Sequence, residues 1–362
     1  MNVLITILDG ATETSMPFNE FVLYRANHYS DEKQILIICG DRKELPKVEI
    51  PENLEIRYTS RRLSCIRKTI KQVIEDCQKH DTTYAIHIHQ VHSGLLAQMA
   101  MVGTGFRRKV LFTVHSTFSG YKLHNKFFSF TNALFSKHIT CVSKASFADY
   151  PRIIKWLKGS RICAIHNGVD VERIDRILSS VNASKKKDGN HFIYVARLIP
   201  LKNHAFLVEV LKKCEPNVHF VFVGAEDVSK EIRAKAENAG VADRITFTGL
   251  IPRNDVFVKL LEADYYISSS TLEGLPVSVL EAMYCGLPCV LSDIPQHREI
   301  AGDEAIVLPY DVEKWATELN RLARLSREER ITLSQHIKKY VTDNFALSEM
   351  HMNYDMIYSQ LR

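Results

Sequence analysis

The sequence predicts an α/β protein with two doubly wound domains, and three observations support this prediction. With 362 residues the chain is long for one domain, so two domains of roughly 170 to 180 residues are expected. Short apolar runs alternate with helical patterns in both halves, which is typical of parallel sheets covered by helices. A polar stretch over residues 179–190 separates the halves. We therefore predict a first domain over residues 1–170, a linker over residues 171–190 and a second domain over residues 191–344.

The composition is that of a globular protein, with 46% hydrophobic and 25% charged residues. No run approaches the ~18 apolar residues of a membrane span, and the first residues lack a basic region ahead of an apolar one, so a cytosolic protein is expected. The eight cysteines form no C-x-x-C pair, and several lie in apolar runs. This pattern predicts reduced thiols in the core.

The net charge of +5 is unevenly distributed. Residues 1–165 carry 23 Lys and Arg against 14 Asp and Glu, and 18 of these cations lie between Arg57 and Arg161 with only 4 acids. A basic half favours an anionic substrate or surface. Because no zinc-ligand spacing, recognition-helix pattern or aromatic and basic strand motif accompanies the charge, nucleic acid is not expected as a partner.

The first domain begins with a predicted strand at residues 3–8, a turn at residues 9–12, a helical segment near residues 19–29 and a strand at residues 34–39. Gly10 in the turn either lets a ligand approach the end of the first strand or simply permits the turn. The absence of a G-x-G-x-x-G pattern argues against a dinucleotide-dependent dehydrogenase.

Two segments of the first domain combine cations with bulky apolar residues. Residues 57–80 have the pattern of a basic amphipathic helix, and residues 121–128 place aromatic and aliphatic groups beside lysines. Either these segments cover the core and present a solvated basic face, or they lie against anionic lipid headgroups.

Histidines occur in the predicted strands of the first domain. His87, His89 and His92 are of the type that binds zinc, but no carboxylate accompanies them, so the sequence favours a metal site only weakly. His115 ends a strand at the carboxyl edge of the sheet, where active sites form. A neutral imidazole there can donate a hydrogen bond to a substrate hydroxyl or accept its proton. The alternative is a structural histidine.

Loops after three predicted strands of the second domain carry candidate binding groups. Arg197 and Lys202 follow the first of these strands. The planar guanidinium of arginine and the compact charge of lysine both suit a diphosphate. Gly224 follows the second strand and permits close approach of a ligand. Leu250 follows the third strand, in a loop apolar enough to hold the edge of a flat base.

A strand at residues 263–267, a polar turn and a short helix form the last candidate element. Proline suits the first turn of the helix and Gly286 suits its end. The backbone amides at the start of the helix are expected to face the carboxyl edge of the sheet, where a helix N-terminus favours phosphate. These residues are Gly274, Leu275, Pro276 and Val277.

Two glutamates, Glu273 and Glu281, bracket this helix N-terminus. Separated by roughly 7 to 8 Å along the axis, they cannot easily share one proton or one metal ion. They can hold two ends of an extended ligand with hydroxyls on both sides of a phosphate group, as in a nucleotide sugar. The alternative is that both are ordinary helix residues, with Glu273 favoured by the helix dipole.

With these motifs the second half resembles the retaining glycosyltransferases of family 4, which have the GT-B fold of two Rossmann-like domains facing across a cleft. The resemblance rests on residues 166–170, on residues 196–203 and above all on the E-x7-E element of residues 273–288, which residues 293–299 continue. It covers roughly residues 160–310.

The resemblance implies roles for the candidate residues. Glu273 would contact the transferred sugar and Glu281 the ribose hydroxyls. Arg197 and Lys202 would neutralise the leaving diphosphate, and His115 would lie beside the sugar. The amides near the start of the helix would hold phosphate or sugar oxygens.

The first domain matches the family less well. The turn at residues 9–14 replaces the glycine-rich pair that family members often show, and Ser116 stands where the family usually has aspartate. The resemblance also implies that residues 345–362 return to the first domain as a helix.

The resulting expectation is an enzyme that needs no metal or other cofactor, because Arg197 and Lys202 supply the positive charge; the absence of a D-x-D motif agrees. It would move a UDP-linked hexose or N-acetylhexosamine to a lipid-linked or cell-surface polysaccharide precursor, in the cytoplasm and against the anionic inner face of the membrane. Two other classes stay open. One is a non-catalytic subunit that binds sugar nucleotides, against which the retention of both glutamates argues. The other is a sugar-nucleotide epimerase of the same fold, which would convert the donor without an acceptor.

Overall fold

A computed structural model of the protein describes residues 2–12, 17–40, 49–180, 190–225 and 228–362. The chain divides into two compact units. The first unit comprises Met1–Gly168 and Leu347–Arg362, and the second comprises Val169–Ala346.

The first unit is built around a parallel sheet. Its strands are β1 (Asn2–Leu8), β2 (Glu32–Cys39), β3 (Leu54–Thr59), β4 (Thr83–Ile88), β5 (Val110–Val114), β6 (His138–Cys141) and β7 (Ile162–Ala164). Its helices within residues 1–168 are a π-helix (Pro17–Leu23), α1 (Tyr24–His28), α2 (Leu63–Lys79), α3 (Val91–Ala100), α4 (Leu123–Phe135), α5 (Lys144–Asp149) and α6 (Arg152–Lys158). The strand order is β3-β2-β1-β4-β5-β6-β7.

The strands of this sheet are apolar on both faces because helices cover both. In β1, for example, every residue from Val3 to Leu8 is buried. On one face α2 packs through Ile66, Ile70 and Val73.

The second unit repeats the same topology with fewer strands. Its strands are β8 (His191–Val195), β9 (His219–Val223), β10 (Ile245–Gly249), β11 (Tyr265–Ser268), β12 (Cys289–Ser292) and β13 (Ala305–Leu308). Its helices are α7 (Val171–Ser180), α8 (His204–Lys213), α9 (Ser229–Asn238), α10 (Arg253–Glu262), α11 (Val277–Tyr284), α12 (Pro295–Ala301), α13 (Val312–Ala323), α14 (Arg327–Ser334) and α15 (Ile337–Phe345). The strands pair in parallel in the order β10-β9-β8-β11-β12-β13.

Both sheets have the strand order of a dinucleotide-binding, doubly wound fold. In each sheet the two halves of the topology run outward from a central pair of strands, β1 and β4 in the first unit and β8 and β11 in the second. This pair is the switch point, and ligands of such folds bind in the crevice beyond its carboxyl ends. The predicted α/β class with two doubly wound sheets is therefore confirmed.

The last helix, α16 (Leu347–Leu361), packs in the first unit. Its apolar face, which includes Leu347, Met350 and Leu361, joins a buried cluster with Leu4 of β1 and Leu111 of β5. The chain thus returns to its first sheet after completing the second unit, as the resemblance implied for residues 345–362.

Two sequence predictions need correction. The predicted linker over residues 171–190 is helical in its first half, where α7 begins after Asp170, whose carboxylate accepts a hydrogen bond from the backbone amide of Arg173. Ile174 of this helix is buried in the second unit. Residues 181–189 lie outside the described residues. The basic helix predicted over residues 57–80 begins only at Leu63, because the residues before it form β3.

All eight cysteines are free thiols, five of them buried. Among the helices within the described ranges, none combines the length and apolarity needed to cross a bilayer.

A buried ion pair links α1, β2 and α16. The guanidinium of Arg25 donates to Glu32 and, at 2.5 Å, to Asp355, and the side chains of Arg25 and Glu32 are only 2% and 6% exposed. Arg362 also donates to Glu32. Because a buried charge is destabilising without its partner, this network fixes α16 in one position.

We expect Arg25→Ala to lower the melting temperature of the first unit by on the order of 10 °C, since loss of one member of a buried ion pair costs about 3 kcal/mol. Thermal melting followed by circular dichroism measures this. The control is Lys71→Ala in the exposed pair with Glu75, whose side chains are 64% and 48% exposed, where a change of at most about 0.5 kcal/mol is expected. Equal melting of the two variants would contradict the structural role of the network.

Candidate active site

The switch point of the second sheet brings together the loops that follow β8 and β11. The two strands are paired in parallel, with Tyr265 opposite Phe192, so both loops leave the sheet at the same edge. One loop carries Arg197 and Lys202 and the other carries Glu273. The geometry of this edge therefore decides whether the predicted groups meet.

The loop after β8 is held by hydrogen bonds on both sides. The amide of Leu198 donates to the carbonyl of Ala225 at 2.9 Å, and the carbonyl of Lys202 accepts from Ser269 Oγ at 3.0 Å. Asn203 adopts a left-handed conformation, with φ of 53°, which turns the chain into α8. The backbone of Lys202 is thus fixed by the end of β11, while Arg197 is exposed.

Lys202 and Glu273 form an ion pair at this edge. Lys202 Nζ lies 2.5 Å from Glu273 Oε1, and the two side chains are 22% and 11% exposed. The loop carrying Glu273 is in turn held to the first loop, because the amide of Thr271 donates to the carbonyl of Leu201 at 2.8 Å. The structure therefore brings together two residues that the sequence assigned to one site.

Helix α11 begins after Pro276 and ends at Tyr284, and Gly286 with φ of +78° follows it, as the sequence predicted. The expectation that four amides face the sheet edge was wrong in detail. Pro276 has no N–H, and the amide of Val277 donates to the carbonyl of Leu275 at 3.0 Å in a tight turn. Pro276 and Val277 therefore have no free amide to offer a ligand.

Glu281 lies in α11 and is held by a cation that the sequence motifs did not indicate. Arg253, the first residue of α10, places a terminal nitrogen 2.7 Å from Glu281 Oε1, and the side chains are 21% and 10% exposed. The sequence feature that could have indicated Arg253 is its position directly after the apolar loop that follows β10. Each glutamate of the E-x7-E element is thus paired with a cation from a neighbouring loop.

Gly224 is required for a reason that differs from the predicted one. A Cβ at this position, which has φ of +152°, would lie 2.1 Å from the carbonyl oxygen of Ala196 and 3.1 Å from the amide of Arg197. In the structure Gly224 lies close to the backbone of Ala196 and Arg197, where the loop carrying Arg197 begins. Leu250 lies in the loop after β10 and is 67% exposed.

At the switch point of the first sheet, the loop after β1 meets the loop after β4. The amide of Asp9 donates to Gln90 Oε1, and burial raises the pKa of the Asp9 carboxyl. A Cβ added at Gly10 would meet no atom within 4 Å, so this turn does not require glycine for space.

His115 follows β5 and lies against His89. His115 Nε2 is 3.0 Å from His89 Nδ1, and Phe21 packs against both rings. Burial lowers the pKa of His115 to about 4 and lowers the pKa of His89 well below its usual value. Both imidazoles are therefore neutral near pH 7, so one donates its N–H to the other and His115 can act as a neutral hydrogen-bonding group.

The histidines predicted as weak zinc candidates do not converge on one point. His87 Nδ1 lies 2.7 Å from Tyr358 Oη and His87 Nε2 lies 2.7 Å from Thr113 Oγ1, so both ring nitrogens have partners. His92 packs against His124 and Phe128 on another face. Across the part of the chain that the structure describes, no group of three or more His, Cys, Asp and Glu side chains is arranged to hold a metal ion.

Comparison with known proteins agrees with this arrangement. The model of "Glycosyl transferases group 1" matches residues 175–340, and that of "Glycosyltransferase Family 4" matches residues 21–173. The chain is 28% identical over 222 residues to the capsular polysaccharide biosynthesis glycosyltransferase CapH of Staphylococcus aureus, covering 59% of each chain. It is 24% identical over 280 residues to the UDP-Gal:alpha-D-GlcNAc-diphosphoundecaprenol alpha-1,3-galactosyltransferase of Escherichia coli, covering 72% of this chain and 71% of that one.

Solved structures with the same fold cover the whole chain. Sucrose-phosphate synthase from Thermosynechococcus elongatus superimposes with a TM-score of 0.78 at 16% identity, over 100% of this chain and 99% of that one. Anabaena Alr3699/HepE in complex with UDP and glucose gives 0.75 at 15% identity, over 99% and 100%.

The family models, the relatives and the solved structures with two such sheets identify a glycosyltransferase with the GT-B fold. The two family models together span nearly the whole chain, and the chain belongs to glycosyltransferase family 4. The match to the capsular relative spans under two thirds of that protein's length.

We expect Gly224→Ala to destabilise the second unit by about 2 kcal/mol, because the new Cβ displaces the start of the Arg197 loop. The melting temperature measures this effect. Gly10→Ala, where a Cβ meets nothing within 4 Å, is the matched control and should melt as the wild type does. Wild-type melting of Gly224→Ala would mean that the loop does not depend on this glycine.

We expect the first unit to lose stability as the pH falls from about 6.5 towards 4. Burial lowers the pKa of His115 to about 4 and that of His351 to about 3, so the unfolded chain binds more protons in this range and unfolding becomes more favourable. Melting temperatures across this pH range measure the loss. His115→Gln should flatten the slope, whereas His80→Gln, at an exposed histidine, should leave it unchanged. Equal slopes in both variants would contradict the assignment.

Proposed function

We propose that this protein is a retaining, metal-independent glycosyltransferase that moves a hexose or an N-acetylhexosamine from a UDP-linked donor to a lipid-linked or cell-surface polysaccharide precursor. The observation that carries the proposal is the ion pair of Lys202 and Glu273 at the switch point of the second sheet. Glu273 lies just before α11 in the chain. A cation and a carboxylate at this edge suit the phosphate and the hydroxyls of one ligand.

In this proposal the donor lies along the carboxyl edge of the second sheet. Lys202 and Arg197 neutralise the diphosphate, and Glu273 holds hydroxyls of the transferred sugar. Glu281, oriented by Arg253 at 2.7 Å, accepts hydrogen bonds from the ribose hydroxyls. Exposed Leu250 offers an apolar edge to the base.

The proposed reaction breaks the bond between the anomeric carbon and a diphosphate oxygen, and the electron pair leaves with the diphosphate. The two cations favour this step because they are in place where negative charge grows. The acceptor hydroxyl attacks from the face that the diphosphate leaves, which retains the configuration, and its proton passes to the departing diphosphate oxygen. His115, neutral with its pKa lowered to about 4, donates or accepts a hydrogen bond at a substrate hydroxyl.

The proposed acceptor follows from the relatives and from the charge of the chain. The Staphylococcus aureus relative is named for capsular polysaccharide biosynthesis, and the Escherichia coli relative for transfer to a diphosphoundecaprenol-linked sugar. The basic character of residues 1–165 suits such an anionic, lipid-linked substrate at the inner face of a membrane.

The test is release of nucleoside diphosphate from a panel of nucleotide sugars, with and without a lipid-diphosphate-linked saccharide. We expect release with a UDP-sugar and with acceptor present. We expect Glu273→Gln and Lys202→Ala each to lower kcat by about 10²–10³, because each removes a group that stabilises the transition state.

The matched control is the exposed pair of Lys213 and Glu313, whose side chains are 54% and 72% exposed. Lys213→Ala and Glu313→Gln should leave the rate unchanged. Unchanged diphosphate release in Glu273→Gln and Lys202→Ala would refute the site assignment. Interconversion of the donor without an acceptor would instead indicate an epimerase.

A further inference from the structure

The outer faces of α4 and α6 expose large apolar side chains. On α4, Leu123 and Phe127 are 85% and 63% exposed, and on α6, Trp156 and Ile153 are 77% and 51% exposed. These are large groups to leave in water, since burying one such side chain is worth about 1.5–3 kcal/mol. Several such groups on neighbouring elements are the pattern of an interaction site.

These side chains form stripes on two neighbouring helices. Leu123 and Phe127 are four residues apart, and Ile153, Trp156 and Leu157 follow the i, i+3, i+4 spacing of one helix face. The two helices pack against each other, and Lys158 Nζ of α6 donates to the carbonyl of Leu134 at the end of α4 at 3.0 Å. We refer to the exposed apolar side chains of these two neighbouring helices together as the α4–α6 face.

The charge around the α4–α6 face has one sign. Residues 121–161 contain eight Lys and Arg and a single acid, Asp149. Among the cations, Lys122, Lys137 and Arg152 are exposed. Exposed Trp, Phe and Leu together with exposed lysine and arginine have the chemistry of the bilayer interface, where aromatic rings lie at headgroup depth and cations meet anionic lipid.

The other basic segment of the first unit lacks this combination. In α2 the apolar residues Ile66, Ile70 and Val73 are fully buried against the sheet, so this helix presents mainly polar and charged groups to solvent. Lys71 there pairs with Glu75. The most exposed large apolar side chain of α2 is Leu63 at 38%, against 85% for Leu123 and 63% for Phe127. Of the two segments that the sequence offered as lipid contacts, the second therefore exposes more apolar surface to insert.

We propose that the α4–α6 face docks this protein on an anionic lipid bilayer, with Trp156, Leu123 and Phe127 inserted at headgroup depth. A bilayer is favoured over a protein partner because residues 121–161 carry eight cations against one acid, an excess that suits a uniformly anionic lipid surface. The inference deepens the proposed function, which calls for a lipid-linked acceptor. Vesicle binding is measured without donor or acceptor, so the two proposals can fail separately.

The chain contains its own probe of this contact. It has two tryptophans, of which Trp156 is 77% exposed and Trp315 is 0% exposed. Added vesicles of phosphatidylglycerol and phosphatidylcholine should shift the Trp156 emission to shorter wavelength and make it sensitive to lipids brominated on their acyl chains. Emission from Trp315 should not change, which Trp156→Phe, leaving Trp315 alone, verifies.

Vesicle flotation measures the energetics. We expect Trp156→Ala to weaken binding to the mixed vesicles roughly tenfold, and Ile153→Ala to weaken it by a smaller factor. Ile331→Ala is the matched control, because Ile331 is 50% exposed against 51% for Ile153 but lies on α14 of the second unit. High salt should weaken binding as well, since it screens the cations.

Three outcomes would overturn the proposal. The first is no change in Trp156 emission on mixed vesicles. The second is equal binding by Trp156→Ala and Ile331→Ala. The third is self-association of the protein that Trp156→Ala abolishes while vesicle binding stays at the wild-type level, because the face would then join two copies of the chain.

Discussion

Parallel strands of one sheet all end at the same edge, and this constraint creates the candidate site. Lys202 and Glu273 are 71 residues apart in the chain, yet their side chains meet because β8 and β11 are neighbours that end together. Arg253 and Glu281 meet at the same edge for the same reason, through the loop after β10 and the helix after β11. The sheet therefore brings together charged groups from the segments that follow three of its strands, β8, β10 and β11.

Pairing the two glutamates with cations resolves an electrostatic problem of the site. Glu281 is buried and Glu273 nearly so, and an isolated carboxylate in such surroundings is costly. A cation at each glutamate offsets part of that cost and orients the carboxylate. The pairing with Glu273 also holds the charge of Lys202 at the edge where we propose that the diphosphate binds. In this proposal the same ion pair stabilises the loop and contributes to ligand recognition.

Much of this arrangement could be predicted from the sequence, because its signals are local. The apolar run before each loop marks a strand, and Pro276 and Gly286 mark the ends of α11. What failed depends on contacts between distant residues. The role of Arg253 depends on its contact with Glu281, 28 positions away in the chain. The need for glycine at position 224 depends on the nearby backbone of Ala196. Helix α7 was included in the predicted linker because the polar residues 179–190 begin at its C-terminal end.

The return of α16 to the first sheet bears on how the protein is made. Residues 169–346 are contiguous and contain every element of the second sheet, so this unit can acquire its fold as soon as they have left the ribosome. The first unit is translated earlier but lacks Leu347, Tyr354 and Tyr358 in its core until residues 347–361 have been made. Its apolar surface around Leu4 and Leu111 stays uncovered throughout that interval, and exposed surface of this kind is prone to aggregation.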